Sequence, residues 1–408
     1  MDITLQKSKI RNRQSSIIIT GSKSESNRLL LLRALYPELE IKNVSNSDDS
    51  ELMQKALSTS SDIVDIHHAG TAMRFLTAYF ATQEDREVVL TGSSRMQERP
   101  IQILVEALQQ LGAEISYEKN VGYPPIRIKG KAITKHKVTL KANVSSQYIS
   151  ALLLIASKLK NGLELILEGK ITSVPYINMT LALLSEIGIE TSFIENTIQV
   201  KPNVIQPKSQ SLVVESDWSS ASYFYSITAM SDIGTEIKLS SYKENSLQGD
   251  SVLAKIYEDF GVKTVFADNA ITLTKVHDCK LQTINCDLSN APDIAQTIAV
   301  TCLGLEVACN LTGLHTLKIK ETDRLEALKT EIEKFGTAVA ITQDSLSIEK
   351  INPLKADVAV DTYHDHRMAM AFAPLVLKVG FSINEADVVS KSYPDFWKDL
   401  KEIGFSIA

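Results

Sequence analysis

Residues 325–341 read LEALKTEIEKFGTAVAI: apolar side chains at helical spacing, then Gly336, then a short run of strand character. A glycine at that point can take the left-handed conformation that stops a helix, so the segment predicts an amphipathic helix, its cap and a strand. The same punctuation recurs in ILVEALQQLGAEI (103–115), LALLSEIGIETSF (181–193), VLAKIYEDFGVKTVF (252–266) and FWKDLKEIGFSI (396–407). The stopping glycines are Gly112, Gly188, Gly261, Gly336 and Gly404, spaced by 76, 73, 75 and 68 residues. So regular a spacing marks a repeated structural unit.

Upstream of these segments lie helices of a second kind, apolar nearly all round: SNRLLLLRAL, GTAMRFLTAYF, SSQYISALLLIA, SSASYFYSITAM, DIAQTIAVTCLGL and HRMAMAFAPLVL, beginning near Ser24, Gly70, Ser145, Asp217, Asp293 and His366. A helix without a polar face is buried. Each unit is therefore a buried helix, strand segments and an amphipathic helix, and the first two units stand closer together than the rest. Three copies per lobe predict an α/β protein of two similar lobes.

The 408 residues suit two or three domains, and 44% apolar composition lets each bury a core. A net charge of -6 disfavours general binding to nucleic acid or membrane surfaces, so any anion site must be local. Cys279, Cys286, Cys302 and Cys309 show no metal-ligand spacing and read as reduced thiols. The start, MDITLQKSKIRNRQ, is too polar for a secretory signal, and no apolar run reaches the roughly 18 residues of a membrane span. These features point to a cytoplasmic chain.

The buried helices open with GSKSESNR, HAGTAMR, VSSQY, SDWSS, APD and YHDHR. Hydroxyls and acids there cap free amides, and for SDWSS capping is sufficient explanation. A helix start is also a ready anion site, and several of these have cations beside them: Lys23 and Arg28 in GSKSESNR, Arg99 in RMQERP, Lys320 and Arg324 in KIKETDR, Arg367 in DHRMAM and Lys391 in SKSYPD. Taken alone, RMQERP reads as a loop into a helix with Pro100 in its first turn, and KIKETDR as a helix start capped by Thr322 or Asp323. GSKS is not a P-loop, because the earlier glycine of GxxxxGK is missing.

Together, GSKSESNR, AGTAMR, TGSSRMQERPI, VSSQY, SVPYI, SDWSSASYF, NSLQGD, APDIAQTIA, KIKETDRL, DHRMAMAF and SKSYPDFW span nearly the whole chain. In that order they resemble the 5-enolpyruvylshikimate-3-phosphate synthase family of enolpyruvyl transferases. The resemblance implies an inside-out α/β barrel in each lobe, with buried helices surrounded by sheets. It implies a discontinuous lobe of residues 1–20 and 216–408, a second lobe of residues 21–215, and substrates held in the cleft between them. By the same likeness Lys23, Ser24, Arg28, Ser145, Ser146, Ser173, Tyr176, Asp293 and Lys320 would meet shikimate 3-phosphate. Lys23, Gly70, Arg99, Gln147, Arg324, His366, Arg367 and Lys391 would meet phosphoenolpyruvate. The implied reaction joins the acceptor's 5-hydroxyl to the enol carbon, proceeds through a tetrahedral adduct and expels phosphate, so a proton leaves oxygen while another reaches carbon. Asp293 is assigned to the hydroxyl proton; Glu321 and Lys23 both stand for the carbon proton. The resemblance further implies a monomer in aromatic amino acid biosynthesis that uses neither cofactor nor metal.

Charge bears on the same assignment. Two phosphomonoesters and two carboxylates bring roughly -5 to -6, whereas the seven cations Lys23, Arg28, Arg99, Lys320, Arg324, Arg367 and Lys391 exceed the acids Asp293 and Glu321 by five. The pattern His364, Asp365, His366 lacks a third ligand cluster, and His366 reads better as a donor to phosphate. Departures from the family pattern are His68, where asparagine is usual, Phe75 in place of proline, Val174 in place of a basic residue and Thr316 in place of asparagine. Phe75 is expected to alter the tilt of the second buried helix. An enolpyruvyl transferase acting on UDP-N-acetylglucosamine is disfavoured because no cysteine precedes Cys279. A noncatalytic scaffold does not explain acids and cations gathered at helix starts, and a nucleic-acid processing role lacks aromatic residues interleaved with basic ones.

Overall fold

The structure is a computed structural model that describes residues 1–10, 14–142, 145–169, 171, 174–202 and 210–408. The chain divides into two compact units, one of Gly21–Val214 and a discontinuous one of Met1–Thr20 with Glu215–Ala408.

The repeat is plainest in the discontinuous unit. Strand Thr283–Asp287 leads to helix Ala295–Leu305, which returns the chain to Ala308–Thr312, parallel to the first strand. Helix Arg324–Lys334 then leads into strands Ala340–Ile341 and Leu346–Ile348, and the latter pairs antiparallel with Ala308–Thr312. The spatial order is first, second, fourth, third. Two sheets of the Gly21–Val214 unit repeat it: Ile63–Asp65, Glu87–Thr91, Ile126–Lys129, Glu114–Tyr117, and Lys137–Lys141, Leu163–Glu168, Thr197–Val200, Thr191–Ile194.

Distant chain completes the other sheets. Strand Ile3–Gln6 fills the fourth place between Phe381–Ile383 and Ser406–Ile407, in the sheet that begins with Val358–Val360. Gln14–Ile17 supplies the first strand beside Glu236–Ser240, with Ala270–Lys275 and Val262–Ala267 beyond. In the Gly21–Val214 unit, Gln210–Val213 runs parallel to Leu39–Lys42, and this sheet has two strands among the described residues. Its helix Asp48–Ser58 ends at Thr59 in extended backbone rather than at a glycine, and the chain passes directly to Ile63–Asp65. The missing hairpin shortens the first repeat, which is why the first two units stand closer in sequence.

All five stopping glycines have positive φ, from 79° at Gly261 to 108° at Gly404, as a left-handed cap requires. The segment 252–266 holds less helix than its periodicity predicts. A 3-10 turn Gly249–Val252 and a helix Leu253–Ile256 are followed by a closure in which the Val262 amide donates to the Tyr257 carbonyl, wrapped around buried Tyr257 and Phe260.

The predicted apolar helices are the interior of each unit. Lys23–Leu35, Gly70–Ala81 and Ser146–Ala156 pack on one another in the Gly21–Val214 unit. In the discontinuous unit Ala295–Leu305 packs on both Trp218–Met230 and His366–Phe372, and the continuing turn Ala373–Leu377 packs on Trp218–Met230. Residues such as Leu31, Leu152, Phe224 and Ile298 are fully buried, each contributing about 1.5–3 kcal/mol on removal from water. Phe75 belongs to this interior, and the Arg28 guanidinium lies 5.4 Å from the centre of its ring. All four cysteines are free, Cys302 and Cys309 buried and Cys279 and Cys286 half-buried. Among the described residues no helix is long and apolar enough to cross a membrane.

Candidate active site

In the Gly21–Val214 unit the buried helices bring their first turns together. Arg28, 3% exposed, donates from Nε to Thr180 Oγ1 at 2.8 Å, from Nη1 to the Ser24 carbonyl at 2.7 Å, and from Nη2 to Ser150 Oγ at 3.0 Å and the Tyr176 carbonyl at 3.4 Å. Burial pushes its pKa down to about 10, which leaves it charged at neutral pH. Lys23 Nζ lies 3.5 Å from Asp49 Oδ2. Ser145 caps its helix by accepting from the Gln147 amide, and Ser146 is buried beside it. Ser173 lies outside the described residues.

Gly70, Arg99 and Gln147 meet at another corner of this unit. A Cβ added to Gly70 would sit 2.7 Å from Arg99 Nη1, so the absent side chain is what admits the guanidinium to the helix start. Gln147 Nε2 donates to Thr71 Oγ1 at 3.2 Å. Behind them Arg74, unnoticed in the sequence, donates to the Gly70 carbonyl at 3.1 Å and the Pro100 carbonyl at 3.2 Å, which fixes the RMQERP loop. Burial, then the charge of Arg99, pushes Arg74 down to about 10. Pro100 lies ahead of the helix rather than in its first turn, since Ile101 is the cap and the helix is Gln102–Leu111. His68 Nδ1 is 2.8 Å from Ser93 Oγ, on the loop preceding Gly70.

In the discontinuous unit the cations meet carboxylates. Arg324, 2% exposed, donates from Nε to Asp365 Oδ2 at 2.7 Å, from Nη1 to Asp293 Oδ1 at 2.9 Å and from Nη2 to Glu321 Oε2 at 2.8 Å. Arg367 donates from Nη1 to the Asp293 carbonyl at 3.0 Å, and from Nη2 to Asp293 Oδ2 at 3.3 Å and Ser219 Oγ at 3.2 Å. Lys320 Nζ is 3.4 Å from Asp293 Oδ1. Burial alone would raise the Asp293 pKa, but Arg367, Lys320 and Arg324 hold it well below the usual carboxylate range. Burial would lower Arg367, yet Asp293 and the other nearby acids hold it well above its ordinary value. His366 is buried at the start of its helix, with Nδ1 3.9 Å from Asp365 Oδ1. Lys391 Nζ donates to the His364 carbonyl at 2.7 Å.

Asp323 is the cap in KIKETDR, accepting from the Leu325 and Glu326 amides, and Asp217 caps SDWSS by accepting from Ser220. Three carboxylates were not legible as partners: Asp49, Asp250 and Asp365. Asp365 had a signal, because an acid two residues before Arg367 fits a cap, and it does accept from the Arg367 amide. These three bring further acids to the cations: Asp49 beside Lys23 in one unit, and Asp365 and Asp250 beside Arg324 and Arg367 in the other. Among the described residues no group of three His, Cys, Asp or Glu could hold a metal ion.

The fold is that of the enolpyruvyl transferases. It matches an EPSP synthase structure from Acinetobacter baumannii with TM-score 0.82 over 100% of this chain and 99% of that one, at 18% identity. It matches the enolpyruvyl transferase NikO from Streptomyces tendae with TM-score 0.74 over 100% and 98%, at 11% identity. In sequence, residues 55–400 match the family model EPSP synthase (3-phosphoshikimate 1-carboxyvinyltransferase). A 3-phosphoshikimate 1-carboxyvinyltransferase from Bacteroides fragilis is 47% identical over 97% of this chain and 96% of its own length. One from Haemophilus influenzae is 35% identical over 96% of each. The chain belongs to the EPSP synthase family.

Proposed function

We propose that this protein transfers the enolpyruvyl group of phosphoenolpyruvate to the 5-hydroxyl of shikimate 3-phosphate, releasing phosphate, as a cytoplasmic monomer. The observation that carries the reading is Asp293, a half-buried carboxylate at a helix start held by Arg367, Lys320 and Arg324, in a chain of this family.

The two clusters would act on one pair of substrates. Gly70 and Arg99, with Gln147 beside them, suit the phosphoenolpyruvate anion in one unit; Arg324, His366, Arg367 and Lys391 suit it in the other. Lys23, Ser24, Ser145, Ser146, Ser173, Tyr176 and Lys320 suit shikimate 3-phosphate. Arg28 spends four hydrogen bonds on its own unit, so it contributes charge and holds the helix starts in place. Ionised and stabilised by three cations, Asp293 is a weak base before ligands arrive. A substrate anion that shares Arg367 with it would raise its proton affinity when the 5-hydroxyl must be deprotonated. Glu321 and Lys23 are the two candidates for the carbon proton.

The test is phosphate release by the purified chain. Release is expected only with both shikimate 3-phosphate and phosphoenolpyruvate; release from phosphoenolpyruvate alone, or with a UDP-sugar as acceptor, defeats the assignment.

A further inference from the structure

The motif NSLQGD (245–250) supplies none of the residues assigned above, yet it is fastened to the start of helix Trp218–Met230. Gln248 Oε1 accepts from the Trp218 amide at 2.9 Å, and its Nε2 donates to the Ser216 carbonyl at 2.9 Å. Ser246 donates to Glu215 Oε2 at 2.6 Å. This bracket delivers Asp250, 7% exposed, to the hydroxyl of Ser219, which donates to Asp250 Oδ2. Ser219 Oγ in turn accepts from Arg367 Nη2 at 3.2 Å, and that same nitrogen donates to Asp293 Oδ2 at 3.3 Å. Asp250, Ser219, Arg367 and Asp293 form one hydrogen-bonded line.

The line has a direction. Ser219 has one hydroxyl proton; with that proton given to an ionised Asp250, only lone pairs face the guanidinium, which can only donate. A protonated Asp250 donates instead, and turning the Ser219 hydroxyl then sets its hydrogen against Arg367.

We propose that Asp250 is a positioning residue: ionised, it parks Arg367 on Ser219, and it takes up one proton as an anion seats on that guanidinium, releasing Arg367 to the anion. This rests on Arg367 holding phosphoenolpyruvate. The charged groups that act most on Asp250 are Asp293, Arg367 and Asp217. When an anion engages Arg367, two neighbouring acids lose the counter-charge they share, and two carboxylates so placed do not both stay ionised. Asp293 has Lys320 and Arg324 beside it as well as Arg367, whereas Arg367 is the cation that acts on Asp250, so Asp250 takes the proton. Burial, then the charge of Asp293, already holds its carboxyl at about 6, so solvent can supply the proton near neutrality. The proton adds to a carboxylate oxygen and returns to solvent when the anion leaves; no other bond changes.

The test compares wild type with Asp250→Asn, which keeps an acceptor for Ser219 and removes the charge. Phosphate release at saturating shikimate 3-phosphate gives kcat and KM for phosphoenolpyruvate across pH 6–8, and titration of the substrate itself cancels in the ratio of the two proteins. The wild-type KM is expected to rise about tenfold more than that of the variant over this range, since each pKa unit gained on binding is a factor of ten; parallel KM profiles overturn the proposal. Should Asp250→Asn fail to fold, titration calorimetry of the wild-type chain with phosphoenolpyruvate alone at pH 7.5, in two buffers of different ionisation heat, reads the proton directly. Uptake supports the proposal and its absence overturns it. A wild type that releases no phosphate defeats the functional reading instead.

Discussion

In the Gly21–Val214 unit Arg28 and Arg74 are buried against hydroxyls, carbonyls and aromatic faces, whereas in the discontinuous unit buried Arg324 and half-buried Arg367 lie against carboxylates. The same residue type near helix starts thus makes its hydrogen bonds to neutral groups in one unit and to carboxylates in the other. An anion meeting the first unit finds its counter-charge ready. An anion meeting the second must displace acids, and displaced acids become proton acceptors. Transfer of the hydroxyl proton is therefore expected to belong to the carboxylate-rich unit.

Asp293→Ala puts that contrast to its strongest test. Turnover is expected to fall by about 10²- to 10⁴-fold with little change in retention of either substrate, read by phosphate release and equilibrium binding; undiminished turnover would remove Asp293 from its role and the proton traffic from this unit.

The two kinds of arginine should also differ in what their loss does to folding. Arg324→Met leaves Asp365, which is fully buried, without its guanidinium and is expected to cost about 3–5 kcal/mol in chemical denaturation. Arg28→Met strands neutral hydrogen-bond partners and should cost about 1–3 kcal/mol. Equal losses would show that the distinction between charged and neutral partners does not govern stability here.

The smallest effect is expected at Gly70→Ala. The added methyl meets the flexible tip of Arg99 at 2.7 Å, so the guanidinium shifts while the helix survives. KM for phosphoenolpyruvate should rise by about tenfold, equivalent to about 1.4 kcal/mol, with KM for shikimate 3-phosphate unchanged. A shift confined to shikimate 3-phosphate would place that substrate, not phosphoenolpyruvate, against the neutral-partner unit's Gly70 corner.

The repeat was legible because each sign of it is local: a stopping glycine at Gly188 or Gly336, an apolar run from Ala151 to Ala156, a cation within a few residues of a helix start. The cations of the candidate site were legible for the same reason. Their partners were not. Asp250 reaches Arg367 through Ser219 across three separate stretches of chain, and nothing in NSLQGD distinguishes its acid from any turn-forming aspartate. Phe75 could be noted as a departure, but its service as the aromatic face beneath Arg28 depends on how two helices pack. Thr59, in place of a sixth stopping glycine, was visible only once the two-stranded sheet it ends was in view.

By itself the sequence determined the unit, its sixfold recurrence, which helices lie inside, and the family, since these depend on periodicity and motif order within short windows. Only the tertiary structure decided that Ile3–Gln6 completes the last sheet, that Gln14–Ile17 and Gln210–Val213 each open a repeat whose helix lies elsewhere in the chain, and which acids neutralise which arginines. Strand pairing and ion pairing are contacts between residues far apart in sequence, and backbone hydrogen bonds and charges accept any partner of the right geometry. The fold, by bringing particular partners within reach, makes the choice.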